Sequence, residues 1–512
     1  MALYTYDQSI KNAIRHNVLS MAVNALTLDR QYISCVPRTY IRQVIDYFLQ
    51  MDEDEPVRKE AQNIDLRYVS DWENLFDSTI GHKRIADLSV CYLSGPQPEN
   101  DFNELISLGV LPQNIWAFEN DRMTYLHAVE KYNAPTFPQP KIVKMSVENF
   151  FKLSPRKFDI IYIDACGSFV STQHALRCVS TLLYYQRLNS PGVLITNFSK
   201  PDYASAQERD ALIHLMALYF AFKNYPDLQL DCSNGMLTAG EFEETKEKVQ
   251  QDFELYYGQF ITSLLSDLAS IIVPLQRFGE LAQFSNLFSA EEISAFSYNY
   301  DISTINGIKN NAVCRWVLTI NWLTNNGVSN IPHNSKYQML LNELSGMTGN
   351  ISFLIKGILF LVYLKAGTIG ASGEIGTIRK YFDQKGNFYQ FLDRVTPSLF
   401  FDVVINQLTY PLHTNNEKSK AFQYCAKQTE MFTDLLVLDE CRYLYEWLPT
   451  IHQIENAMKN KSWQYTFRFA LDALVKQRIN YNDEFFFQGS VVHKCETPFD
   501  AKIRSDRERI GG

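Results

Sequence analysis

The sequence predicts an α/β fold in which a doubly wound parallel sheet lies between a group of N-terminal helices and a large, mainly α-helical C-terminal region. Two observations predict the sheet. Five short runs rich in apolar residues alternate with segments of helical length between residues 84 and 205, and within the runs the apolar residues are largely consecutive and not alternating. Continuous apolar runs are typical of parallel strands that helices cover on both faces.

The 512 residues predict a multidomain chain, and the expected boundaries are 1–80, 81–235 and 236–512. The first segment is predicted to be helical, because residues 40–49 carry apolar side chains at helical spacing. After about residue 205 the pattern indicates helices again. The helices expected there are 206–222, 241–273 and 429–448.

Five strands are predicted, and each ends in residue types suited to a ligand site. The strands are 85–93, 115–118, 141–145, 158–163 and 192–196. Ligands of open parallel sheets bind outside the carboxyl ends of the strands, near the point where the strand order reverses. Glycine allows close approach of the backbone to a ligand. Glu119 follows Gly95 by 24 residues, close to the ~20-residue spacing at which an acidic side chain binds ribose hydroxyls. The strand-end residues are Ser94-Gly95-Pro96, Glu119, Ser146-Val147, Asp164 and Asn197.

Residues 80–205 resemble the class I S-adenosylmethionine-dependent methyltransferases, whose catalytic domain is Rossmann-like. The resemblance lies in five segments, which are ADLSVCYLSGP, IWAFEND, IVKMSVENF, FDIIYIDA and SPGVLITN in chain order. FDIIYID and SPGVLIT are its most specific part. A strand that ends in Asp and is followed, after one helix, by a Pro-Gly turn into another apolar strand recurs across that family.

The resemblance implies S-adenosylmethionine as the cofactor and a role for each strand end. The first loop departs from the family pattern, because Ser94-Gly95-Pro96-Gln97-Pro98 keeps one glycine and brings two prolines where Gly-x-Gly-x-Gly is usual. By resemblance, Gly95 in its turn with Ser94 and Pro96 would lie beside the methionine part, Glu119 would hold the ribose hydroxyls, Ser146 and Val147 would flank the adenine, and Asp164 would line the methyl-transfer pocket.

Asp164, His174 and Asn197 are the predicted catalytic residues. His174 follows the fourth strand, and the ordinary pKa of imidazole suits a general base. The positions of Asp164 and Asn197 after the fourth and fifth strands resemble those of polar residues in small O-methyltransferases. Some of these enzymes hold a divalent metal with Asp residues and an Asn. Thr196 stands where a second Asp is expected, so no metal is predicted.

Other motifs narrow the chemistry. The residues after Ile163, Asp-Ala-Cys-Gly, match neither the Pro-Pro-aromatic motif of amine-directed DNA methyltransferases nor the Pro-Cys nucleophile of cytosine-C5 enzymes. The sequence contains no G-x-S-x-G, no G-x-x-x-x-G-K-[ST] and no H-E-x-x-H, which disfavours the common serine hydrolases, P-loop NTPases and zincins.

Composition and charge indicate a folded, soluble, cytoplasmic protein. Apolar residues make up 46% of the chain, and the net charge of -9 gives no overall field that would attract nucleic acid or an anionic membrane. The nine cysteines include no Cys-x-x-Cys pair, which indicates reduced thiols and neither a disulfide framework nor a zinc site. We expect no secretory signal and no membrane span.

The leading hypothesis is therefore a cytoplasmic S-adenosylmethionine-dependent methyltransferase. Because the helical C-terminal region adds so much surface, we expect a macromolecular acceptor or an accessory protein, and a nucleic-acid acceptor stays open. The proline-containing first loop favours an alternative, a degenerate methyltransferase-like scaffold that binds a protein or nucleic-acid partner. A nicotinamide-linked oxidoreductase is a third reading, with which Glu119 is compatible and the single Gly is not.

Overall fold

The computed structural model describes most of the N-terminal half of the chain and a second section near residues 409–446. The described residues are 9–50, 55–132, 141–169, 175–203, 206–224, 230–231, 236–237, 240–280, 289, 291, 339–340, 343, 347–348, 351–352, 409–446 and 507–510.

A nine-stranded sheet forms the centre of the molecule. Its strands are β1 (Val90–Leu93), β2 (Ile115–Glu119), β3 (Lys141–Lys144), β4 (Phe158–Ser168), β5 (Leu188–Ser199), β6 (His413–Thr414), β7 (Lys420–Ala426), β8 (Thr429–Asp439) and β9 (Glu508–Ile510). The strand order is β9-β7-β8-β5-β4-β1-β2-β3, and β6 pairs with β8. Strands β1 to β5 are parallel, whereas β8 is antiparallel to both β5 and β7.

Helices precede, connect and follow these strands. They are α1 (Ser9–Leu26), α2 (Tyr40–Leu49), α3 (Glu55–Gln62), α4 (Leu66–Ile80), α5 (Glu99–Ser107), α6 (Arg122–Tyr132), α7 (Val147–Leu153), α8 (Ala175–Tyr184), α9 (Ala206–Asn224), α10 (Gly240–Gln251), α11 (Phe253–Asp267), α12 (Val273–Glu280) and α13 (Arg442–Tyr445). A π-helical segment, Leu268–Ile272, joins α11 to α12. Two short antiparallel pairs, Leu230–Asp231 with Met236–Leu237 and Met347–Thr348 with Ile351–Ser352, lie outside the main sheet.

Apolar side chains cover both faces of the sheet. Because side chains alternate along a strand, Val90 and Tyr92 point to one face, and Cys91 points to the other. The first face packs against α1 to α5, and the second packs against α7 to α12. This double cover explains the continuous apolar runs, and it confirms the predicted doubly wound α/β fold.

The prediction of a helix over residues 429–448 is wrong. Thr429–Asp439 is β8, an interior strand of the sheet, and helix begins only at Arg442. From residue 431 to residue 439 every side chain of β8 is buried, so the segment lacks the alternation that marks a half-exposed strand. The sheet formed by residues 90–199 is therefore completed by residues from near the C-terminus.

The helix predicted over 241–273 is divided. α10 ends at Gln251, and Asp252 begins α11, because its side chain accepts a hydrogen bond from the backbone N–H of Leu255. An N-cap of this kind satisfies an amide that would otherwise have no partner at the start of a helix. The predicted helix is therefore two successive helices, followed by the π segment.

One helical run, Phe253–Glu280, is long and apolar enough to cross a membrane by length and composition. Its apolar window is wholly buried inside the fold, where α11 packs against the sheet. The run is therefore accounted for as a core element of the fold.

The burial of β8 predicts a large stability loss on truncation. Leu436 is 1% exposed, so Leu436→Ala removes a buried side chain and leaves a cavity. We expect the free energy of unfolding to fall by about 2 to 5 kcal/mol, measured by chemical denaturation. The matched variant Leu255→Ala, at a side chain that is 37% exposed, should lose much less. Equal losses would contradict an interior position for β8.

Candidate functional site

The predicted site residues at the ends of β1, β2, β4 and β5 lie in one row across the carboxyl edge of the sheet. The structure pairs Glu119 with Lys144, Asp164 with Asn197, and Asn197 with Thr433. Ser94 extends the row, because the residue before it, Leu93, pairs with the residue before Glu119. From β3 to β8 the row is Lys144, Glu119, Ser94, Asp164, Asn197 and Thr433.

The turn after β1 leaves space above the row. Gly95 has φ +58°, a left-handed conformation that glycine adopts without strain, and a Cβ placed there would meet no atom within 4 Å. The N–H of Ser94 donates to the carbonyl of Phe118 at 2.9 Å, and the Ser94 hydroxyl donates to the carbonyl of Gly95 at 3.1 Å. Pro96 is exposed. The turn is thus tied to the end of β2 and open above its glycine.

Two carboxylates flank this turn. Glu119 is half-buried and accepts a hydrogen bond from the N–H of Asp121 at 2.8 Å. Glu99, in the first turn of α5, accepts from Lys131 through Oε1 at 2.7 Å. Its Oε2 is buried without a hydrogen-bond partner in the part of the chain that the structure describes. This oxygen is an acceptor that a bound group with an N–H or O–H could satisfy.

The residues after β3 have structural roles of their own. Ser146 is the N-cap of α7, because its hydroxyl accepts from the N–H of Asn149 at 3.2 Å. Val147 is 4% exposed and belongs to the core on the second face of the sheet. Both lie at the predicted position along the chain, next to the Glu119 end of β2.

The side chain of Asp164 has a partner on each side, one on β5 and one on α1. Its Oδ1 accepts from the amide of Asn197 at 2.8 Å, and its Oδ2 lies 3.0 Å from the ammonium of Lys11 on α1. Asn197 is only 1% exposed, and its side-chain oxygen accepts from Thr433 at 2.9 Å and from Tyr424 at 3.2 Å. Asn197 therefore fixes the orientation of Asp164 and joins it to β7 and β8.

A second ion pair lies beside the first. Arg15 on α1 donates from Nε to Oδ1 of Asp101 at 2.7 Å, and both side chains are buried. Burial raises the pKa of Asp101 from its ordinary value of 3.8 to about 6, against the lowering effect of Arg15, and the nearby charge of Asp164 raises it further. The structure therefore gives this rim a carboxyl group that titrates in mildly acidic solution.

α1 contributes two basic side chains to the site, and the sequence pattern did not predict them. Lys11 and Arg15 are four residues apart, so they share one face of the helix. That spacing was available as a signal, but nothing local indicates that the face packs against the strand ends about 150 residues away. His174, the third predicted catalytic residue, lies outside the described residues.

The raised pKa of Asp101 predicts a pH-dependent stability. The folded chain holds this proton to a higher pH than the unfolded chain, so stability from Asp101 is lost as the pH rises from 3.8 to about 6. We expect wild type to lose stability relative to Asp101→Asn over that window and to change little relative to it above. Denaturation at each pH checks this, with Glu130→Gln on the exposed face of α6 as control. A difference that stays flat across the window would contradict it.

Comparisons with known proteins found methyltransferases among solved structures, whereas no family model and no curated protein matches the chain. Magnesium protoporphyrin IX methyltransferase from Synechocystis is 16% identical over 31% of this chain and 76% of its own, with a TM-score of 0.18. A methyltransferase from Clostridium acetobutylicum is 16% identical over 27% of this chain and 52% of its own, with a TM-score of 0.18. PKMT2 from Rickettsia typhi is 10% identical over 72% of this chain and 52% of its own, with a TM-score of 0.23.

The strand order gives the fold. Reading β3-β2-β1-β4-β5-β8-β7, the sheet has five parallel strands that reverse order after β1, and a neighbouring strand antiparallel to β5. The doubly wound α/β arrangement expected for residues 80–205 is therefore present, and the antiparallel strands β7 and β8 extend it.

Proposed function

We propose that the protein is a cytoplasmic S-adenosylmethionine-dependent methyltransferase whose cofactor binds over the carboxyl ends of β1, β2 and β4. The observation that carries the proposal is the open turn at Gly95 beside the acidic end of β2, in a sheet of methyltransferase topology. Five cysteines in the described part of the chain form no disulfide bond, which supports the cytoplasmic assignment.

The residues around the turn fit the parts of this cofactor. Glu119 lies one strand away from Gly95 and can accept hydrogen bonds from two ribose hydroxyls. The unpartnered Oε2 of Glu99 can accept from an ammonium or hydroxyl group, and the space above Gly95 admits a ligand close to the backbone. Ser146 and Val147, at the start of α7, would border the adenine.

The cofactor supplies an electrophilic methyl group on a sulfonium, and the protein's task is then to hold the acceptor nucleophile in line with it. Asp164 is the candidate for this role, because it lies in the row at the carboxyl edge, where Asn197 holds its Oδ1 and Lys11 holds its Oδ2. We assign Asn197 the role of positioning Asp164, and His174 stays the candidate base that the sequence predicts.

The position of the long connection after β5 supports a macromolecular acceptor. β5 ends at Ser199, on the same carboxyl edge as the candidate site, and among the described residues the next strand of this sheet begins at His413. Loops at the carboxyl edge of a parallel sheet commonly form the acceptor side of a binding site. The inserted residues therefore begin where an acceptor would approach.

One observation favours the alternative of a methyltransferase-like scaffold. The ammonium of Lys11 contacts Asp164 at 3.0 Å, and the Ser146 hydroxyl caps a helix, so two predicted site residues already have partners within the chain. Binding of the cofactor separates the two functions, because a scaffold of this kind does not need it.

The test is calorimetric titration of the full-length protein with S-adenosylmethionine and S-adenosylhomocysteine. We expect binding, and we expect Glu119→Ala to weaken it by about 1 to 3 kcal/mol, roughly 5- to 150-fold in Kd, because it removes a charged hydrogen-bond acceptor. Circular dichroism and thermal unfolding of the variant establish that the sheet is intact.

Glu247→Ala is the matched control, since Glu247 is an exposed carboxylate on α10, which packs against α9. It should bind like wild type. If the protein binds neither compound, the proposal of a methyltransferase is refuted and the alternative of a scaffold is favoured. Binding of NAD in their place would favour an oxidoreductase, and unchanged affinity in Glu119→Ala would remove Glu119 from the site.

A further inference from the structure

Two cysteines and an aspartate meet at the opposite edge of the sheet. Asp439 is the last residue of β8, and because β8 runs antiparallel to β5, it lies beside the start of β5. Along β8 it is six residues from Thr433, about 20 Å at the usual rise of a strand, so this cluster is separate from the candidate methyltransferase site. Cys441 follows Asp439, and Cys35 comes from the loop before α2.

The three side chains have the spacing of metal ligands. Sγ of Cys35, a carboxylate oxygen of Asp439 and Sγ of Cys441 all lie within 4.8 Å of one another. Sγ of Cys441 is 3.5 Å from Oδ2 of Asp439. In a tetrahedral zinc site, with bonds of ~2.3 Å to sulfur and ~2.0 Å to oxygen, neighbouring sulfur and oxygen ligands lie about 3.5 Å apart. The pair therefore needs little movement to share a zinc ion.

The surroundings hold the carboxylate in place. Oδ2 of Asp439 accepts from the N–H of Cys35 at 3.2 Å and from the hydroxyl of Tyr443 at 2.9 Å. Oδ1 accepts from the N–H of Cys441 at 2.9 Å and from the hydroxyl of Ser190 at 3.2 Å. Such hydrogen bonds from neighbouring groups orient the ligands of protein metal sites.

The charge of the cluster also favours a cation. Asp439 is 0% exposed and has no ion-pair partner among the residues that the structure describes. Arg30 is close enough to interact electrostatically, but its hydrogen bonds go to the backbone carbonyls of Ile80 and Leu26. A buried carboxylate without a paired cation is costly, and a divalent metal would remove that cost.

We propose that Cys35, Asp439 and Cys441 bind a zinc ion. The ion would join the loop before α2 to the end of β8, two segments 404 residues apart in sequence. Three protein ligands leave one tetrahedral position, which a water molecule can take because Cys35 is partly exposed. Binding converts both thiols to thiolates, and the two protons leave to solvent. Cysteine spacing alone predicts no such site, since the fold and not a local motif brings the ligands together.

The first test is metal content and cobalt spectroscopy of the full-length protein. We expect roughly one zinc per chain after purification without chelator. Replacement by Co²⁺ should produce thiolate-to-cobalt charge-transfer absorption and the intense visible bands of a tetrahedral site. Cys35→Ser and Cys441→Ser should each lose the charge-transfer absorption in part. Asp439→Asn should weaken metal binding, because the amide is uncharged and its NH2 group cannot accept the hydrogen bonds that one carboxylate oxygen accepts.

Cys178→Ser is the matched control, because Cys178 is also a buried thiol but lies on α8, outside the cluster. It should bind Co²⁺ like wild type. Both cysteines bind the ion as thiolates, so each thiol releases a proton on binding. Metal affinity should therefore rise by about 100-fold per pH unit near neutrality, tenfold for each proton released.

The proposal fails if wild type binds neither Zn²⁺ nor Co²⁺, or if bound cobalt shows no thiolate absorption. It also fails if Cys178→Ser loses the metal to the same extent as Cys35→Ser. A disulfide between Cys35 and Cys441 that mild peroxide forms equally well with and without zinc would likewise contradict it. Should a serine variant not fold, the pH dependence of wild-type affinity still decides, because carboxylates on the surface would not release two protons.

Discussion

The antiparallel pairing of β8 with β5 is the interaction on which the rest of the structure depends. Eight residue pairs join the two strands, from Met431 with Ser199 to Leu438 with Gly192. At one end this pairing brings Thr433 to the Asn197 amide that orients Asp164. At the other end it brings Asp439 to the loop that carries Cys35. Both proposed sites are therefore built on a contact between segments more than 200 residues apart, and any change that shifts its register would displace both.

The sequence predicted the parts of the fold that depend on local patterns. β1 to β5 were recognisable because strands buried on both faces must be continuously apolar, and Asp164 and Asn197 could be placed side by side because parallel strands end at one edge. β8 was mistaken for a helix for the same physical reason, since complete burial removes alternation and leaves length as the only guide. Lys11 and Arg15 could not be placed, because their partners depend on how α1 packs and not on neighbouring residues.

The polar row at the carboxyl edge shows how a buried sheet tolerates an ionised group. Asp164 is 12% exposed in its side chain, and its two oxygens have an amide and an ammonium as partners. The side-chain oxygen of Asn197 in turn accepts hydrogen bonds from Thr433 and Tyr424. A continuous series of polar contacts therefore runs from α1 through β4 and β5 to β7 and β8. The N-terminal helix is thus part of the core of the α/β unit and not an appendage to it.

The wide separation between β5 and β8 also affects synthesis on the ribosome. β5 is complete at Ser199, but its outer edge gains a partner only when Leu438 has been made, roughly 240 residues later. At translation rates of about 5 to 20 residues per second, the nascent chain exposes an apolar, unpaired strand edge for on the order of 10 to 50 s. Such an edge can pair with other chains. The helices from α9 to α12 emerge during this interval, and their early docking on the second face would protect the half-made sheet.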